Sequence, residues 1–418
     1  MQKLRFLNGC SFLFGLILAS ACSGGGEPRS PASVDGGGAG GASSAGGASA
    51  GGPSAGAPAS GGAPNPVDCT AAWPSNAPAL KDDHWTSINP PSLKFVGEPQ
   101  TGPFVQGMAV DPCNSAIIYL CVDSFDISQG GGLYKTVDAG ATWNKIGQLD
   151  EPVRVRVDPK NSLHLYAVDG VRGDTMGFWV SQDGGQSWTK PDAWKALAPA
   201  TYTIDDLYDV AVDPADFNHA LVTFHSPWGT TAAGQNSGVI ETKDGGNSWV
   251  AHQPKGDWSA GLNVWFLDNA QSWLVGTQSN GYWRTTDAGG TWAQVSTTSM
   301  FHGGGQLYKS KPGALYVSSA SGVMRSADNG VTWTKVGTVP PATSVFGDGN
   351  RLYTHSAYLS GEEPFFTSPE SDGMTWTALN AHALTDGPFE MAFDAEHGIV
   401  YSANWGNGLI ALKVPAAK

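Results

Sequence analysis

One short pattern recurs along this chain, and it constrains the fold more than any other feature. It reads Ser or Thr, any residue, Asp, any residue, Gly, any residue, Ser or Thr, Trp. Five copies are intact, at residues 136–143, 181–188, 242–249, 285–292 and 326–333. A sixth copy, ending at Trp376, is damaged, because Ser371 stands where the Asp is expected. Its tryptophans recur every 41–61 residues, a period that predicts an array of similar supersecondary units.

The chemistry of the repeat is that of a tight hairpin. An Asp can accept hydrogen bonds from the backbone N–H groups of its own turn. The Gly permits a positive φ, and the Trp places a large apolar face between neighbouring sheets. The repeat carboxylates are therefore assigned to the fold and not to catalysis: Asp138, Asp183, Asp244, Asp287 and Asp328.

About 40–50 residues per repeat suit the four-stranded blade of a β-propeller. Units open with an apolar strand that ends in Asp, as at residues 107–111 and 154–158, and a seventh unit begins at Glu390. The seventh unit lacks its last strand, whereas residues 83–88 look like a last strand without a unit. We therefore predict an all-β, seven-bladed β-propeller over residues 67–418, closed by this N-terminal strand, which removes the open sheet edges.

The residues before the propeller have other signatures. Residues 1–21 carry Lys3 and Arg5 before a short apolar run, which predicts a signal peptide. The small residues before Cys22 are similar to a bacterial lipobox, so we expect Cys22 to be lipidated; cleavage near Ala21 without lipidation is the alternative. The rest of 22–66 is almost entirely Gly, Ala, Ser and Pro, which predicts a disordered linker. The expected location is the cell envelope, as an outer-membrane lipoprotein, periplasmic or surface-exposed.

Charge and cysteine content restrict the partners. The formal net charge is −14, which argues against nucleic acid as a partner. We expect membrane contact only through the lipid, a monomer, no metal site and no cofactor. After Cys10 and Cys22, the chain retains Cys69, Cys113 and Cys121. We expect one disulfide from Cys69 to one of the other two, and three free thiols are the alternative.

Candidate site residues follow from propeller geometry, in which first-strand starts and second-to-third strand loops share one face. Strand starts contribute Arg154, Asp209, Asn263 and Glu390, and the loops contribute Asp123, Asp126, Asp169, Arg172, His225, Trp228, His355, Tyr358, Asn404 and Trp405. Carboxylates with exposed aromatic rings suit sugar recognition and glycosidic bond cleavage.

From this set we predict Asp123, Asp209 and Glu390 as catalytic carboxylates. The predicted substrate-binding residues are Arg154, His225, Trp228, His355, Tyr358 and Trp405. Several have structural alternatives. Arg154 and Arg156 can bridge carboxylates between blades, Asp209 can belong to an acidic loop or a cation site, and Trp405 can belong to the core.

The repeat resembles the Asp boxes, or BNR repeats, of sialidases, Vps10-type sorting receptors and xyloglucanases of glycoside hydrolase family 74. The opening of family 74 is similar to Ile118-Tyr119-Leu-Cys-Val-Asp123 followed by Gly131-Gly132-Leu-Tyr134-Lys135. This resemblance implies that Asp123 is one of two catalytic carboxylates. Six extra residues separate Asp123 from the glycines here. That family carries its second acid in a second propeller, so the partner here is expected to be Glu390 or Asp209.

Sialidases grip their substrate with an arginine cluster, and this chain has no arginine between residues 30 and 153, which argues against that activity. The leading hypothesis is an exported, surface-anchored glycoside hydrolase acting on a polysaccharide or glycoconjugate with paired carboxylates. A non-catalytic propeller that binds glycan or protein is the second hypothesis, and an assembly factor is the third.

Overall fold

The computed structural model describes residues 67–97, 102–125, 129–201, 206–228, 237–254, 258, 262–301, 305–357 and 362–415, all within one compact unit of residues 61–418. These residues form seven antiparallel sheets, six with four strands and one with three. The all-β, seven-bladed propeller predicted from the repeat is thereby confirmed. The predicted signal peptide, Cys22 and linker lie outside the described residues.

Each blade is a meander of consecutive strands. The closing strand and blades 1 to 3 comprise β1 (Trp85–Ser87); β2 (Pro103–Val110), β3 (Ile118–Ser124), β4 (Gly132–Thr136) and β5 (Asn144–Ile146); β6 (Pro152–Asp158), β7 (Asn161–Asp169) and β8 (Gly177–Ser181); β9 (Leu207–Asp213), β10 (Asp216–Phe224), β11 (Val239–Thr242) and β12 (Val250–His252).

Blades 4 to 7 comprise β13 (Asn263–Phe266), β14 (Trp273–Gly276), β15 (Tyr282–Thr285) and β16 (Ala293–Ser296); β17 (Tyr308–Lys309), β18 (Leu315–Ser319), β19 (Gly322–Ser326) and β20 (Thr334–Val336); β21 (Ala342–Gly347), β22 (Arg351–Ser356), β23 (Glu363–Pro369) and β24 (Thr377–Leu384); β25 (Pro388–Asp394), β26 (Ile399–Asn404) and β27 (Gly408–Lys413).

The antiparallel pairing gives the ring two distinct faces. In blade 1, β2 begins and β3 ends at the same edge, because Pro103 pairs with Ser124. The third strand then returns to the other edge, where residues 136–143 turn into the fourth strand. We call the first edge the funnel face and the second the Asp-box face. Loops before first strands, and those between second and third strands, therefore lie on the funnel face.

Ring closure joins the two ends of the propeller. The short strand β1 pairs with β27, with Trp85 opposite Leu412 and Ser87 opposite Ile410. It forms the outermost strand of blade 7, as the sequence predicted. Trp85 is buried and packs on Phe365 of blade 6, with ring centroids 4.4 Å apart, so strand pairing and side-chain burial close the ring together.

The Asp boxes adopt one geometry in five blades. In the first, Oδ1 of Asp138 accepts the backbone N–H and Oδ2 the hydroxyl of Thr142, at 2.8 and 2.7 Å. The residue after each box Asp has a positive φ: 58° at Ala139, 52° at Ala288 and 57° at Asn329. The next residue is always Gly, again with positive φ. A carboxylate with two donors thus fixes two consecutive left-handed residues, which turns strand three into strand four.

The damaged sixth box replaces its missing carboxylate with a neighbour. Ser371 occupies the usual Asp position, but Oδ2 of Asp372 accepts the backbone N–H of Thr375 at 3.0 Å. Gly373 keeps the positive φ, at 63°. The turn therefore survives a shift of one residue in the acceptor.

The long interval between the second and third boxes contains a helix. This helix, α1 (Asp192–Thr201), follows blade 2, which has three strands in its sheet. Trp194 is fully buried and contacts Phe178 and Trp249. In blade 2 the place of the fourth strand is taken by Thr189, which forms a single antiparallel bridge with Val180, and the helix follows that bridge and packs between blades 2 and 3. Among the described residues, no helix has the length and apolar character needed to cross a bilayer.

Aromatic side chains on the second strands fill the space between blades. Tyr119 reaches the next blade, where its hydroxyl donates to the carbonyl oxygen of Gly184 at 3.3 Å. Second-strand tyrosines that are fully buried in this way are Tyr119, Tyr166, Tyr316, Tyr353 and Tyr401. Neighbouring blades are therefore joined mainly by apolar contact.

The N-terminal segment crosses the Asp-box face before it enters β1. Cys69 forms a disulfide with Cys113, in the turn after β2, and Cys121 is a buried free thiol. The prediction that Cys69 is bonded is confirmed, with Cys113 as its partner. Trp73 stacks on His397 with ring centroids 3.8 Å apart, and Nδ2 of Asn76 donates to Asp138 at 2.9 Å. This segment therefore ties blade 1 to blade 7.

The left-handed box positions give a stability prediction. Ala288→Gly should stabilise the fold by about 0.5–1 kcal/mol, because glycine adopts a positive φ without the clash of a Cβ. Asn329→Gly is the matched control and should change little, since asparagine tolerates this conformation. Chemical denaturation measures both, and an unchanged or lowered stability of Ala288→Gly would contradict the assigned turn.

The disulfide gives a second stability prediction. Cys113→Ser should lower the free energy of unfolding by about 2–4 kcal/mol, the usual effect of a bond across a loop of this length, since 44 positions separate its cysteines. Cys121→Ser is an unsuitable control because that thiol is buried, so reduction of the wild-type chain serves instead. Thermal unfolding with and without reductant should give the same loss as the substitution.

Candidate functional site

The funnel face over blades 1 and 2 carries a group of carboxyl side chains around Asp123. Asp123 is fully buried near the end of β3. Its Oδ2 accepts hydrogen bonds from Nε2 of Gln106 and Nη1 of Arg172, both at 2.6 Å. Its Oδ1 accepts the N–H of Ser124 at 2.6 Å. Burial raises the pKa of Asp123, and the charge of Arg172 opposes that effect. Three donors, one of them charged, favour the ionised carboxylate.

Two further carboxyl groups lie beside it, on Glu151 before β6 and on Asp169 at the end of β7, and both are buried. The N–H of Glu151 donates to Oδ2 of Asp169 at 3.2 Å. Burial, together with the negative charge of Asp123, raises the pKa of Glu151 to about 9. Burial and the charge of Asp150 raise the pKa of Asp169 to about 8. No described residue hydrogen-bonds Oε2 of Glu151 or Oδ1 of Asp169. We call Asp123, Glu151, Asp169 and Arg172 the rim cluster.

Gly131 shows how closely these groups approach. A Cβ added there would lie 3.5 Å from Oγ of Ser124 and 3.6 Å from Cγ of Glu151. It would also lie 2.6 Å from the carbonyl oxygen of Asp150, closer than real Cβ atoms come. Glycine at this position therefore lets the loop after Asp123 run directly beside Glu151.

A second charged group lines the central channel. Nη1 of Arg156 donates to Oε1 of Glu390 at 2.8 Å, and its Nη2 lies 3.5 Å from Oδ1 of Asp209. Asp209 also accepts Nδ2 of Asn263 at 3.0 Å, and Glu390 accepts the N–H of Met108 at 2.8 Å. Asp209 and Glu390 therefore flank a single guanidinium group and are brought together by it.

Arg154 extends this group between blades. It is buried, with Nε 3.7 Å from Oδ1 of Asp209, and its Nη1 donates to the carbonyl oxygens of Gln106 and Val153. Arg156 therefore joins carboxylates of blades 3 and 7, and Arg154 joins blade 2 to Asp209 of blade 3, so both arginines have the structural role that was the alternative for them. Asp209 is buried and paired with both arginines, so the alternative in which it belongs to a cation site is not supported. Removing one charge from such a buried pair usually costs about 3–5 kcal/mol.

Three predicted binding residues are not exposed, contrary to expectation. Trp228 is buried against Phe224, with ring centroids 5.6 Å apart. Trp405 is buried and stacks on Phe104 at 4.0 Å. His355 is fully buried, and its ring nitrogens contact the carbonyl oxygens of Ser356 and Glu363. The two indole rings pack inside the blades because burial stabilises apolar aromatic area, and the polar His355 ring is buried with a hydrogen-bond partner at each nitrogen.

Of the other predicted residues, one lies at the funnel face, one is buried within a blade and two lie outside the described residues. His225 stays at the funnel face, with Nδ1 3.2 Å from Oδ2 of Asp206. Asn404 is buried and bonds within blade 7. Tyr358 and Asp126 lie outside the described residues. Within the described ranges, no three His, Cys, Asp or Glu side chains are grouped so as to hold a metal ion.

Sequence reasoning missed Glu151, Gln106 and Phe125. Glu151 directly precedes a first strand, so its position at the funnel face follows from topology once strand starts are known. Gln106 lies within β2 at a β-bulge, where the register of pairing with β3 shifts between Val105 and Gly107. Phe125 lies in the inserted residues after Asp123, where no repeat pattern applies.

Fold and site together define a seven-bladed propeller with a carboxyl-rich rim. Its sequence is similar to curated xyloglucanases. It is 28% identical over 276 residues to that of Hypocrea jecorina (strain QM6a), covering 57% of this chain and 32% of the relative. It is 27% identical over 259 residues to that of a Paenibacillus species, covering 51% and 24%. The chain thus spans about a third or less of these relatives. No family profile matches it.

Solved structures support the fold. YCF48 bound to D1 peptide has a TM-score of 0.52 at 15% identity, covering 81% of this chain and all of that one. YCF48 from Cyanidioschyzon merolae has a TM-score of 0.53 at 12% identity, covering 80% and 100%. Combined with the xyloglucanase similarity, this makes the chain a propeller that resembles those of glycoside hydrolase family 74.

The raised pKa values give a pH prediction. A carboxyl group that stays protonated in the folded state stabilises the fold below its unfolded pKa, and this is lost as pH rises through the folded pKa. For Glu151 the window runs from its ordinary value of 4.5 to about 9. We expect stability to fall across this window, by about 1.4 kcal/mol per pH unit for each such proton.

Glu151→Gln should reduce the fall of stability with pH by the contribution of one proton. The reason is that the Gln amide has the shape of the neutral carboxyl group but does not ionise. Denaturant unfolding between pH 5 and pH 9 is the measurement, with exposed Glu396→Gln on the Asp-box face as the control. Identical slopes for wild type and Glu151→Gln would mean that Glu151 is ionised in the folded chain.

Proposed function

We propose that this chain is an exported, surface-anchored glycoside hydrolase, which acts on a polysaccharide through paired carboxyl groups in its rim cluster. Lipidation of Cys22 anchors it to the outer membrane, and the linker of residues 22–66 holds the propeller away from the bilayer. The partner is a polysaccharide or glycoconjugate, and the chain acts as a monomer without a cofactor.

The observation that carries this proposal is the position of Asp123. In the segment that resembles the opening of family 74 it corresponds to a catalytic carboxylate, and it lies near the end of β3, at the funnel face. Beside it lie carboxyl groups with strongly raised pKa values. Glycosidases usually cleave the glycosidic bond with two carboxyl groups, one protonated and one ionised, whose pKa values are set apart by their environments.

The roles follow from protonation. Glu151 keeps its proton to about pH 9 and donates it to the glycosidic oxygen as the bond to the anomeric carbon breaks. Asp123, held as a carboxylate by Arg172, acts on the anomeric carbon directly or removes a proton from the attacking water. In this proposal Asp209 and Glu390, which the sequence analysis predicted as catalytic, instead hold Arg156 in the channel, because both carboxylates contact its guanidinium group.

Sugar release tests the activity. The full-length chain should release reducing ends from one or more of a panel of plant, bacterial and animal glycans. Asp123→Asn and Glu151→Gln should each lower the rate by about 10²–10⁴-fold, the usual contribution of a general acid or base. Activity should fall as pH rises through about 9, where Glu151 loses its proton.

Asp268→Asn is the matched control, since Asp268 is exposed in a turn on the Asp-box face; it should retain full activity. No release from any glycan by a folded chain would reject the hydrolase and leave a binding propeller. Release that survives Asp123→Asn would reject the proposed mechanism while keeping an enzyme.

A further inference from the structure

Phe125 is an exposed aromatic ring at the rim. Its side chain is 47% exposed, and it is the only aromatic residue among the large hydrophobic side chains that the described part of the chain leaves exposed. The others are Val96, Val137, Val250, Val331 and Met374. Three of these belong to Asp-box turns, and Val250 directly follows one. An exposed phenyl ring at the funnel face therefore has no counterpart in the repeat.

The Phe125 ring is fixed by contacts with two other side chains. Phe104, which is fully buried, lies 5.2 Å from it between ring centroids, and Phe104 in turn stacks on Trp405. On another side the guanidinium carbon of Arg172 lies 4.5 Å from the ring centroid. A ring fixed this way loses little further freedom when a ligand covers it, which favours binding.

The ring also adjoins the carboxylate at the centre of the proposed mechanism. Arg172 contacts both, since its Nη1 lies 2.6 Å from Oδ2 of Asp123 while its guanidinium carbon lies over the ring of Phe125. One residue separates Asp123 from Phe125 in sequence. An exposed aromatic ring and a partly exposed cation are therefore placed side by side at the rim, and the cation pairs with the buried carboxylate of Asp123.

The surrounding charge restricts what can lie on this surface. Asp150 directly precedes β6, and Asp174 lies beside it, since the N–H of Asp174 donates to Oδ2 of Asp150 at 2.7 Å. Arg172 is already paired with Asp123. A ligand with its own carboxylates would meet net negative charge here, whereas an uncharged ring would not.

We propose that Phe125 is the stacking platform of a sugar-binding subsite next to Asp123, and that the subsite takes an uncharged pyranose through the apolar C–H face of its ring. This inference rests on the proposed function, because it assumes a glycan ligand. The platform lies in the segment between Asp123 and Gly131, which follows none of the repeat pattern. It orients the sugar chain along the rim and contributes to ligand affinity.

Direct binding tests the platform without reliance on turnover. Calorimetry with the full-length chain would use xyloglucan oligosaccharide and cellohexaose as uncharged probes and oligogalacturonate as the anionic one. An uncharged probe should bind and the anionic one should not. Phe125→Ala should weaken binding by about tenfold, or about 1.4 kcal/mol. Phe125→Trp should restore it, and Met374→Ala, which removes an equally exposed apolar side chain on the other face, should have no effect.

A double-mutant comparison separates a platform from a support for Arg172. If Phe125 binds sugar directly, Phe125→Ala should weaken binding by a similar factor in the wild-type and Arg172→Met backgrounds. It should also raise KM more than it lowers kcat, and leave the pH profile unchanged. A loss that vanishes in Arg172→Met, or a shifted pH profile, would overturn the proposal and make Phe125 a positioning residue.

The outcomes also separate this inference from the hydrolase. Binding that depends on Phe125 without sugar release supports the platform and rejects the enzyme. Sugar release with equal affinity in wild type and Phe125→Ala rejects the platform alone. Tighter binding of the anionic probe than of both uncharged ones rejects the proposed ligand class.

Discussion

The hydrogen bonds of one aspartate carboxylate to its own turn are the interaction on which the whole ring depends. A left-handed conformation is unfavourable for most residues other than glycine and asparagine, so the carboxylate must hold it at positions such as Ala139 and Ala288. Around Asp328, the hydroxyl and N–H of Thr332 and the hydroxyl of Ser326 lower the pKa to about 2. The carboxylate is therefore charged under all ordinary conditions. Five such turns keep one face of the ring structurally occupied, which leaves the other for a site.

Electrostatics divide the acidic side chains of the funnel face into two kinds. Asp209 and Glu390 share the guanidinium of Arg156, and their charges are compensated within the scaffold. The carboxyl groups of Glu151 and Asp169 have no such partner and keep their protons instead. A compensated carboxylate stabilises contacts between blades, whereas a buried carboxyl group with a retained proton is able to give that proton away.

The sequence was most informative where structure depends on local hydrogen bonds. The box turn needs residues within eight positions of each other, so its pattern predicted blades, faces and the closing strand. Side-chain direction was much harder to predict. Trp228 and Trp405 lie in loops that reach the funnel face, yet their rings turn inward, and no pattern of neighbours signals that choice. Glu151 and Phe125 follow no repeat, and their role depends on contacts across 18 or more residues, such as that with Asp169.

Ring closure also has a consequence for the order in which parts of this chain fold. The partner of β1 lies at the far end of the propeller, with 320 positions between Leu409 and the Asn89 side chain that it contacts. Trp85 therefore stays without its burial site until nearly the whole chain has emerged. Contacts at such long range form slowly. Cys69 and Cys113, in contrast, meet as soon as the first hairpin exists. The disulfide then holds β1 near blade 1 before blade 7 has folded. This limits the volume within which β1 and β27 must meet.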